Sequence, residues 1–349
     1  MQYLRYQTFQ EVLDRNITRE ANKNIHSLYI VIGYNCQLNC SFCFNKFDEK
    51  FINAMDKDLD RDPEIFARII DNYNPEMVTF IGGEPLMDQY AKIIIDTINS
   101  YRRTETDDKV WCLSTNLAYK QFTDNQIKCM KLMQEDSIDD IAIGSSYSVD
   151  RFYEKDKYFE LWKKNMLFLD SIGINVGVTL TLTEKQFDQP VDEVIDLLMN
   201  QVKAKMVNIE RCIFPEPKTE KEVKKLEFFY KKSDIYMKEC FEKFPKEFNK
   251  QYSRFEDAIN YNIPVFSNKC SQSVLTIYPT VKREYLVRKG CICNSVGVDP
   301  MLWMDKVTKY ECITCNYYAL CHGDCECNRF ACAFPKHTID YMKNEVKGS

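Results

Sequence analysis

The sequence predicts an α/β fold, in which a partial (β/α)6, TIM-like barrel is followed by a C-terminal cysteine-rich domain. Six short apolar or β-branched runs alternate with longer helical patterns between residues 28 and 210, as in repeated β/α units that share a parallel sheet. Nine of the 16 cysteines lie between residues 270 and 332, where that periodic pattern fades. The length of 349 residues suits about two domains.

The six runs are apolar enough to form strands that are buried in a parallel sheet. The predicted strands are residues 28–33, 77–82, 110–114, 141–145, 174–182 and 206–209. The predicted helices between them are residues 63–73, 88–102, 124–134, 151–172 and 191–202. The first helix opens with Asp62-Pro63, a start signal, because proline suits the first helical turn. In such folds the active residues gather at the carboxyl ends of the strands.

The chain divides into four predicted segments. These are an N-terminal helical extension (1–27), the barrel (28–214), a charged helical linker (215–263) and the cysteine-rich domain (264–349). Residues 218–250 hold ten Lys against seven Asp or Glu and are interrupted by Pro245, which favours a solvated helix that connects two domains. The last segment has too little core of its own and is expected to be held together by metal.

Composition and charge exclude several classes of protein. The net charge of −5 gives no electrostatic reason to expect a nucleic-acid or anionic-membrane partner. No run approaches the 18 apolar residues of a membrane span, and the first 25 residues lack the apolar stretch of a signal peptide. We therefore expect a cytoplasmic protein.

The 16 cysteines then point to metal binding, because disulfides rarely persist in a reducing compartment. With only three histidines, zinc sites that need histidine and iron sites built on a histidine pair fit poorly. Thiolate-only sites are left, namely Fe–S clusters or zinc held by four cysteines. The scattered Cys112, Cys129 and Cys240 are interpreted as small buried hydrophobic residues.

Cys36, Cys40 and Cys43 follow the first predicted strand directly. Three Cys ligands leave one iron of a [4Fe–4S] cluster open to a further ligand, as substrate chemistry at a cluster requires. The spacing CxxxCxxC, with the aromatic Phe42 before the last cysteine, resembles the signature of the radical S-adenosylmethionine (SAM) family. The resemblance implies that this cluster binds SAM.

Glycines end the second predicted strand, where they allow close backbone approach. In the radical SAM family the matching segment meets the amino group of the SAM methionine, and here it reads Gly82, Gly83, Glu84 and Pro85. We expect Gly83 to act on SAM independently of the cysteine loop, which belongs to a different strand.

The third predicted strand ends in Ser114-Thr115-Asn116, and Ser114 and Asn116 resemble the family's polar strand end near the SAM ribose. The fourth ends in a serine-rich run before Asp150, in which Ser146 is our choice for SAM although Ser145 and Ser148 also fit. Each of these ends has an equally good interpretation as the N-cap of the next helix.

The distal cysteines resemble the SPASM extension of radical SAM enzymes, which carries two auxiliary [4Fe–4S] clusters. The matching spacing is Cys312-x2-Cys315-x5-Cys321-x3-Cys325. The resemblance implies that Cys270, Cys291 and Cys325 bind one cluster, with Cys293 as an alternative to Cys291. It assigns Cys312, Cys315 and Cys321 to the other, together with Cys327 or Cys332. The gap from Cys270 to Cys291 is longer than usual, and a zinc ribbon is the alternative.

The resemblance implies that the reduced cluster cleaves SAM to a 5′-deoxyadenosyl radical, which takes a hydrogen atom from the substrate, while auxiliary clusters take up an electron. It implies oxidation of a ribosomally made peptide or protein side chain to a crosslink, thioether or similar product. Formylglycine formation of the sulfatase-maturing type and dehydrogenation of a small substrate are alternatives, as is a non-catalytic Fe–S or zinc module. No general base is identified. Glu210 and Arg211 are candidates for contact with SAM or substrate, or for a plain salt bridge.

The expected partners are a peptide or protein substrate and an electron donor of the flavodoxin or ferredoxin type. Only 35 residues precede Cys36, too few for a leader-recognition domain. Leader recognition is therefore expected from a separate protein, from a helix around residues 8–20, or not at all.

Overall fold

The computed structural model is organised around one nine-stranded sheet. It describes residues 6–8, 25–43, 61–104, 109–135, 141–152, 156–212, 214, 217–261, 274–279, 284–289, 332 and 334–348. The strands are β1 (Tyr6–Thr8), β2 (Ser27–Gly33), β3 (Met77–Gly82), β4 (Val110–Ser114), β5 (Ile143–Tyr147), β6 (Val176–Leu182), β7 (Met206–Arg211), β8 (Val274–Pro279) and β9 (Glu284–Lys289). Their order in the sheet is β1-β9-β8-β2-β3-β4-β5-β6-β7.

Helices alternate with these strands as the sequence predicts. They are α1 (Pro63–Tyr73), α2 (Asp88–Thr104), α3 (Asp124–Glu135), α4 (Val149–Phe152), α5 (Asp156–Ser171), α6 (Val191–Ile195), α7 (Glu220–Lys243), α8 (Asn249–Tyr261) and α9 (Lys336–Gly348). At the start of α1 the Asp62 side chain accepts a hydrogen bond from the Glu64 amide, which is the expected cap. The predicted helix 151–172 is two helices in the described residues, α4 and α5.

Seven neighbouring strands, from β8 across to β7, are parallel. Six of them are the six predicted strands. The seventh, β8, was not predicted: it pairs with β2 on the side away from β3, from Ser27 opposite Val274 to Ile30 opposite Ile277. β9 and β1 then add two antiparallel strands at this edge. The predicted α/β class with a parallel sheet is confirmed, and the sheet continues into the segment beyond residue 264.

The two faces of the sheet differ in composition. Alternate residues of every parallel strand join one apolar core with the helices, including Ile30, Phe80, Trp111, Val178 and Ile209. The opposite face, here called the polar face, carries small and polar side chains from β3 to β7. Its small and polar members are Thr79, Cys112, Ser114, Gly144, Ser146, Gly177, Thr179, Thr181, Asn208 and Glu210. The apolar Met77, Ile81, Val110 and Met206 share this face, and Ile81 packs with Val31 of β2. Parallel sheets are usually apolar on both faces, so a polar second face is typical of a sheet that lines a ligand site.

The C-terminal helix returns to the linker helix α7. The buried carboxylate of Asp234 on α7 accepts hydrogen bonds from the His337 amide (2.8 Å), the Thr338 amide (3.0 Å) and the Thr338 hydroxyl (2.8 Å). These groups lie at the first turn of α9, whose amides have no partner within the helix. Asp234 therefore caps α9 from another helix. No helix in the described ranges is long and apolar enough to cross a membrane.

Candidate cluster site

The three proximal cysteines lie on the loop that follows β2. Cys36 is exposed, Cys40 is buried and Cys43 is half-buried, and the Cys43 amide donates to the Cys40 carbonyl at 3.3 Å. None of them forms a disulfide. Among the described residues, no three Cys, His, Asp or Glu side chains converge as ligands of one metal ion. The structure thus gathers the three thiols on one loop without closing them into a ligand set.

Two N–H groups point at the sulfur of Cys36. The Leu38 amide donates to Sγ at 3.4 Å, and Nδ2 of Asn116 donates to it at 3.5 Å. Although Cys36 as a whole residue is exposed, protein atoms around its sulfur desolvate the thiol. This desolvation, followed by the nearby Glu84 carboxyl, raises the pKa of Cys36 to about 11. A free thiol here would be protonated at neutral pH, whereas coordination to a metal ionises it. N–H donors suit a thiolate far better than a thiol, so this donor set fits a cluster ligand.

Gly82 and Gly83 pack against the backbone of the cysteine loop. The Gly83 amide donates to the Gly33 carbonyl at 2.8 Å, and Gly82 has φ of 146°. A Cβ on Gly83 would meet the carbonyl oxygens of Tyr34 and Asn35. The expected independence of Gly83 from the cysteine loop is therefore wrong, because this glycine permits the close approach of the loop itself.

Glu84 joins the cysteine loop to the ends of β3 and β4. Its side chain is 0% exposed, and its amide donates to the Asn35 carbonyl at 2.7 Å. One carboxylate oxygen accepts from the Thr115 hydroxyl at 2.6 Å and the Leu86 amide at 3.0 Å, and the other accepts from the Asn116 amide at 2.7 Å. Burial raises the pKa of this carboxyl, and its hydrogen bonds with Thr115, Asn116, Tyr119 and Leu86 oppose that shift.

The side chain of Asn116 is directed at the cysteine loop. Its Oδ1 accepts from Nε2 of Gln37 at 2.9 Å and from the Ala118 amide at 2.8 Å, while its Nδ2 faces Cys36. Every polar atom of this amide is thus engaged within the protein. The predicted contact of Asn116 with the SAM ribose stays a prediction.

The remaining predicted SAM residues divide between the two faces of the sheet. Ser114 is exposed and Ser146 is half-buried, and both lie on the polar face. Ser145 belongs to the core side, where its hydroxyl accepts from the indole Nε1 of Trp162 at 3.1 Å. Pro85 is buried. The alternation of β5 therefore separates Ser146 from Ser145, which the sequence left open.

The cysteine loop reaches the far end of the sheet. Phe42 packs on an apolar cluster formed by Cys212, Leu226, Phe229 and Tyr230, directly after β7. The guanidinium carbon of Arg151, at the start of α4, lies 6.0 Å from the centre of the Phe42 ring. The cysteine loop after β2 therefore reaches the apolar cluster that includes Cys212, the residue after β7, at this edge of the polar face.

Glu210 and Arg211, which the sequence left as alternatives, lie on opposite faces of β7. Glu210 is exposed on the polar face, level with Thr181 of β6. Protein around the carboxyl raises its pKa through desolvation. Arg211 lies on the other side, with its guanidinium 5.5 Å from the centre of the Tyr230 ring. Of the two candidates, only Glu210 lies on the polar face.

Most of the predicted auxiliary-cluster ligands lie outside the described residues. These are Cys270, Cys291, Cys293, Cys312, Cys315, Cys321, Cys325 and Cys327. Cys332 is described, and it is exposed and free, four residues before α9. Gln37, Thr115 and Arg151 were not singled out from the sequence. Gln37 and Thr115 adjoin predicted site residues, but nothing in the sequence indicates the direction of their side chains.

One family model matches the part of the chain that contains β2 to β5. Residues 27–161 match the 4Fe-4S single cluster domain family. This range contains the cysteine loop, Gly82 to Pro85, Ser114, Asn116 and Ser146. No protein in the curated collection matches the chain.

Three solved structures share the fold over most of the chain. The structure "Native anSMEcpe with bound AdoMet" has a TM-score of 0.62 at 15% identity, over 92% of this chain and 98% of that one. "Native anSMEcpe with bound AdoMet and Kp18Cys peptide" gives 0.59 at 15% identity, over 93% and 99%. Streptococcus suis SuiB bound to its precursor peptide SuiA gives 0.51 at 14% identity, over 88% and 74%. These shared folds confirm the predicted α/β fold class.

Proposed function

We propose that this protein is a radical SAM enzyme that oxidatively modifies a side chain of a ribosomally made peptide or of a protein. The observation that carries the proposal is the loop with Cys36, Cys40 and Cys43, which lies at the carboxyl edge of a parallel sheet with N–H donors aimed at Cys36. The match to a 4Fe-4S domain supports a cluster on this loop. The shared fold with proteins bound to AdoMet and to peptides supports the substrate class.

In this proposal Cys36, Cys40 and Cys43 hold the cluster, and Gly82 to Pro85, Ser114 and Ser146 lie along the path of SAM. When bound, the cluster and SAM supply a 5′-deoxyadenosyl radical. The proposed role of the chain is to exclude water and to orient the substrate hydrogen. The proposed place for the substrate is the polar face between the cysteine loop and β7. Exposed Ser114 and half-buried Ser146 offer hydroxyl groups to a ligand there.

The proposal includes two auxiliary [4Fe–4S] clusters. Their proposed ligands are Cys270, Cys312, Cys315, Cys321 and Cys325, with either Cys291 or Cys293 and either Cys327 or Cys332. A substrate radical must lose an electron to become a crosslink, thioether or carbonyl, and these clusters are the proposed acceptors. The proposed electron donor is a flavodoxin or ferredoxin. Leader recognition by a separate protein, by the segment around residues 8–20, or not at all, stays open in this proposal.

The first test is cluster content and SAM cleavage after reconstitution without oxygen. Wild-type protein is expected to bind about 12 irons and to release 5′-deoxyadenosine from SAM when reduced. Replacing Cys36, Cys40 and Cys43 together by Ala should remove about four irons and all cleavage. Cys129→Ala, which alters a buried thiol of α3, is the matched control and should change neither. Zinc with a single cluster after full reconstitution would contradict the proposed distal clusters.

The second test is the mass of the product, with candidate peptides from neighbouring genes as substrates. A loss of about two hydrogens per 5′-deoxyadenosine supports oxidation, because one hydrogen leaves to the radical and an electron and a proton follow. Conversion of a Cys or Ser to formylglycine would instead assign the sulfatase-maturing reaction. Unchanged mass, or an added methyl group, would overturn the oxidative proposal.

A further inference from the structure

The amide of Asn116 is held in one orientation by its own hydrogen bonds. Oδ1 accepts from two N–H groups, Nε2 of Gln37 at 2.9 Å and the amide of Ala118 at 2.8 Å. An N–H2 group in that place would face two donors, so the oxygen is fixed there and Nδ2 is fixed on the side of Cys36. The distance from Nδ2 to Sγ of Cys36 is 3.5 Å, which is hydrogen-bond range for sulfur.

The backbone of Asn116 is fixed independently. Its amide donates to the fully buried carboxylate of Glu84 at 2.7 Å. That carboxylate is itself held by Thr115 and Leu86, and the Glu84 amide donates to the Asn35 carbonyl, next to Cys36. The donor Asn116 and the acceptor Cys36 are therefore attached to the same buried group, so their separation is set within a rigid network.

We propose that Asn116 is a positioning residue that tunes the cluster, because its Nδ2–H donates to Sγ of Cys36 and raises the reduction potential. An N–H donor stabilises the more negative, reduced form of a thiolate-ligated cluster more than the oxidised form. The inference rests on the proposed function, since it needs a cluster on the loop. It differs from the ribose contact predicted for Asn116, because Oδ1 and one N–H of Nδ2 are engaged within the protein.

The test compares Asn116→Ala and Asn116→Asp with Asn165→Ala. Asn116→Asp keeps an acceptor for Gln37 and Ala118 but replaces the donor with a negatively charged oxygen, which lowers the potential by itself, so Asn116→Ala is the variant that isolates the loss of the N–H···S bond. A shift in Asn116→Asp alone would be a charge effect and would overturn the inference. Asn165, on α5, donates through Nδ2 to the carbonyls of Leu117 and Tyr119 at 2.8 and 2.7 Å, but it contacts no sulfur. It is therefore the matched control for a purely structural effect on the segment that carries Asn116.

The readout is the midpoint potential of the reduced-cluster EPR signal that changes when SAM is added, measured in full-length protein with all clusters. Both Asn116 variants are expected to shift this potential downward with unchanged iron content, whereas Asn165→Ala should leave it at the wild-type value. Equal potentials in all four proteins would overturn the inference, as would an equal shift in Asn165→Ala. Loss of about four irons from both Asn116 variants alone would also overturn tuning in favour of an assembly role. If the wild-type protein shows no EPR signal that changes when SAM is added, the proposed function itself is contradicted.

Discussion

At the scale of single residues, the cluster loop is held by contacts that sequence motifs do not specify. The motifs around Cys36, Gly83 and Asn116 are each recognisable from the sequence, but their interdependence is not. Glu84 shows why: its carboxylate accepts from Thr115, Leu86 and Asn116, and its amide bonds to Asn35. Such long-range hydrogen bonds depend on which strand ends become neighbours, which only the folded sheet decides.

Gly83→Ala tests this coupling at the point of closest backbone approach. The added Cβ would meet the carbonyls of Tyr34 and Asn35, so the cysteine loop must move. We expect a loss of stability of about 1–3 kcal/mol, as for overpacking, together with fewer irons on the loop. Iron analysis and anaerobic urea unfolding measure the two effects.

Gly144→Ala is the matched control for that substitution, because its Cβ would lie 3.6 Å from the Leu113 carbonyl, an ordinary contact. It should retain the wild-type iron content. A Gly83→Ala protein with full iron and the wild-type unfolding midpoint would show that the loop does not depend on this glycine.

Glu210 gives a pH dependence whose sign follows from its surroundings. Desolvation raises the pKa of its carboxyl in the folded protein, so the folded state holds this proton to a higher pH than the unfolded state does. The stability that the protonated carboxyl contributes is therefore present at low pH and is lost as the pH rises through the folded-state pKa. Glu210→Gln removes this loss. The variant's gain in unfolding free energy over wild type should grow with pH while the carboxyl titrates and then level off, as measured by denaturation across a series of pH values.

Asn208→Ala, on the same face of β7, changes no titrating group and is the control for Glu210→Gln, so its difference from wild type should not change with pH. A constant difference for Glu210→Gln as well would show that the folded protein does not desolvate this carboxyl and would contradict the prediction.

At the scale of elements, hydrophobic periodicity predicted most of the sheet and failed in one place. The six runs between residues 28 and 210 became β2 to β7, because each is short, apolar and bounded by turn residues. β8 has the same character, Val-Leu-Thr-Ile-Tyr, but it lies among the cysteines and its parallel partner β2 is more than 240 residues away in the chain. Composition pointed to a metal-held module there, and the pairing that joins this run to the sheet is not encoded locally.

Asp234→Ala tests the element that returns the chain to the barrel after the cysteine-rich segment. The substitution leaves the His337 and Thr338 amides of α9 without their acceptor, and a lost cap of this kind costs about 2 kcal/mol. Because α9 begins four residues after Cys332, we expect auxiliary iron to be released at lower urea concentration than in wild type. Asp234→Asn keeps one acceptor oxygen and should lie between the two. Simultaneous loss of all iron at the wild-type midpoint would contradict this role for Asp234.

At the scale of the whole molecule, the cysteine-rich segment is attached at both ends to the body that carries the cluster loop. β8 lies beside β2, which leads into Cys36, and α9 is capped by α7. The polar face lies on the same sheet. At its edge Phe42 packs on the apolar cluster that includes Cys212, the residue after β7. This arrangement suits the proposed function, in which the cysteine loop on the sheet holds the cluster that generates the radical. The attached segment holds the proposed acceptor of the electron that the substrate must lose.

This separation of the two proposed roles predicts different defects for the two groups of cysteines. Cys315→Ala and Cys321→Ala should spare slow formation of 5′-deoxyadenosine from SAM and abolish the modified product, because the proposed electron acceptor is gone while the cluster loop is intact. Circular dichroism must show a folded sheet first, since the cysteine-rich segment has little core and depends on its metal. Cys240→Ala, at a fully buried free thiol of α7, is the control and should form product. If Cys315→Ala and Cys321→Ala form modified product at the wild-type ratio to 5′-deoxyadenosine, the auxiliary clusters do not take part in the reaction. If they form neither 5′-deoxyadenosine nor modified product, these cysteines are needed for SAM cleavage itself.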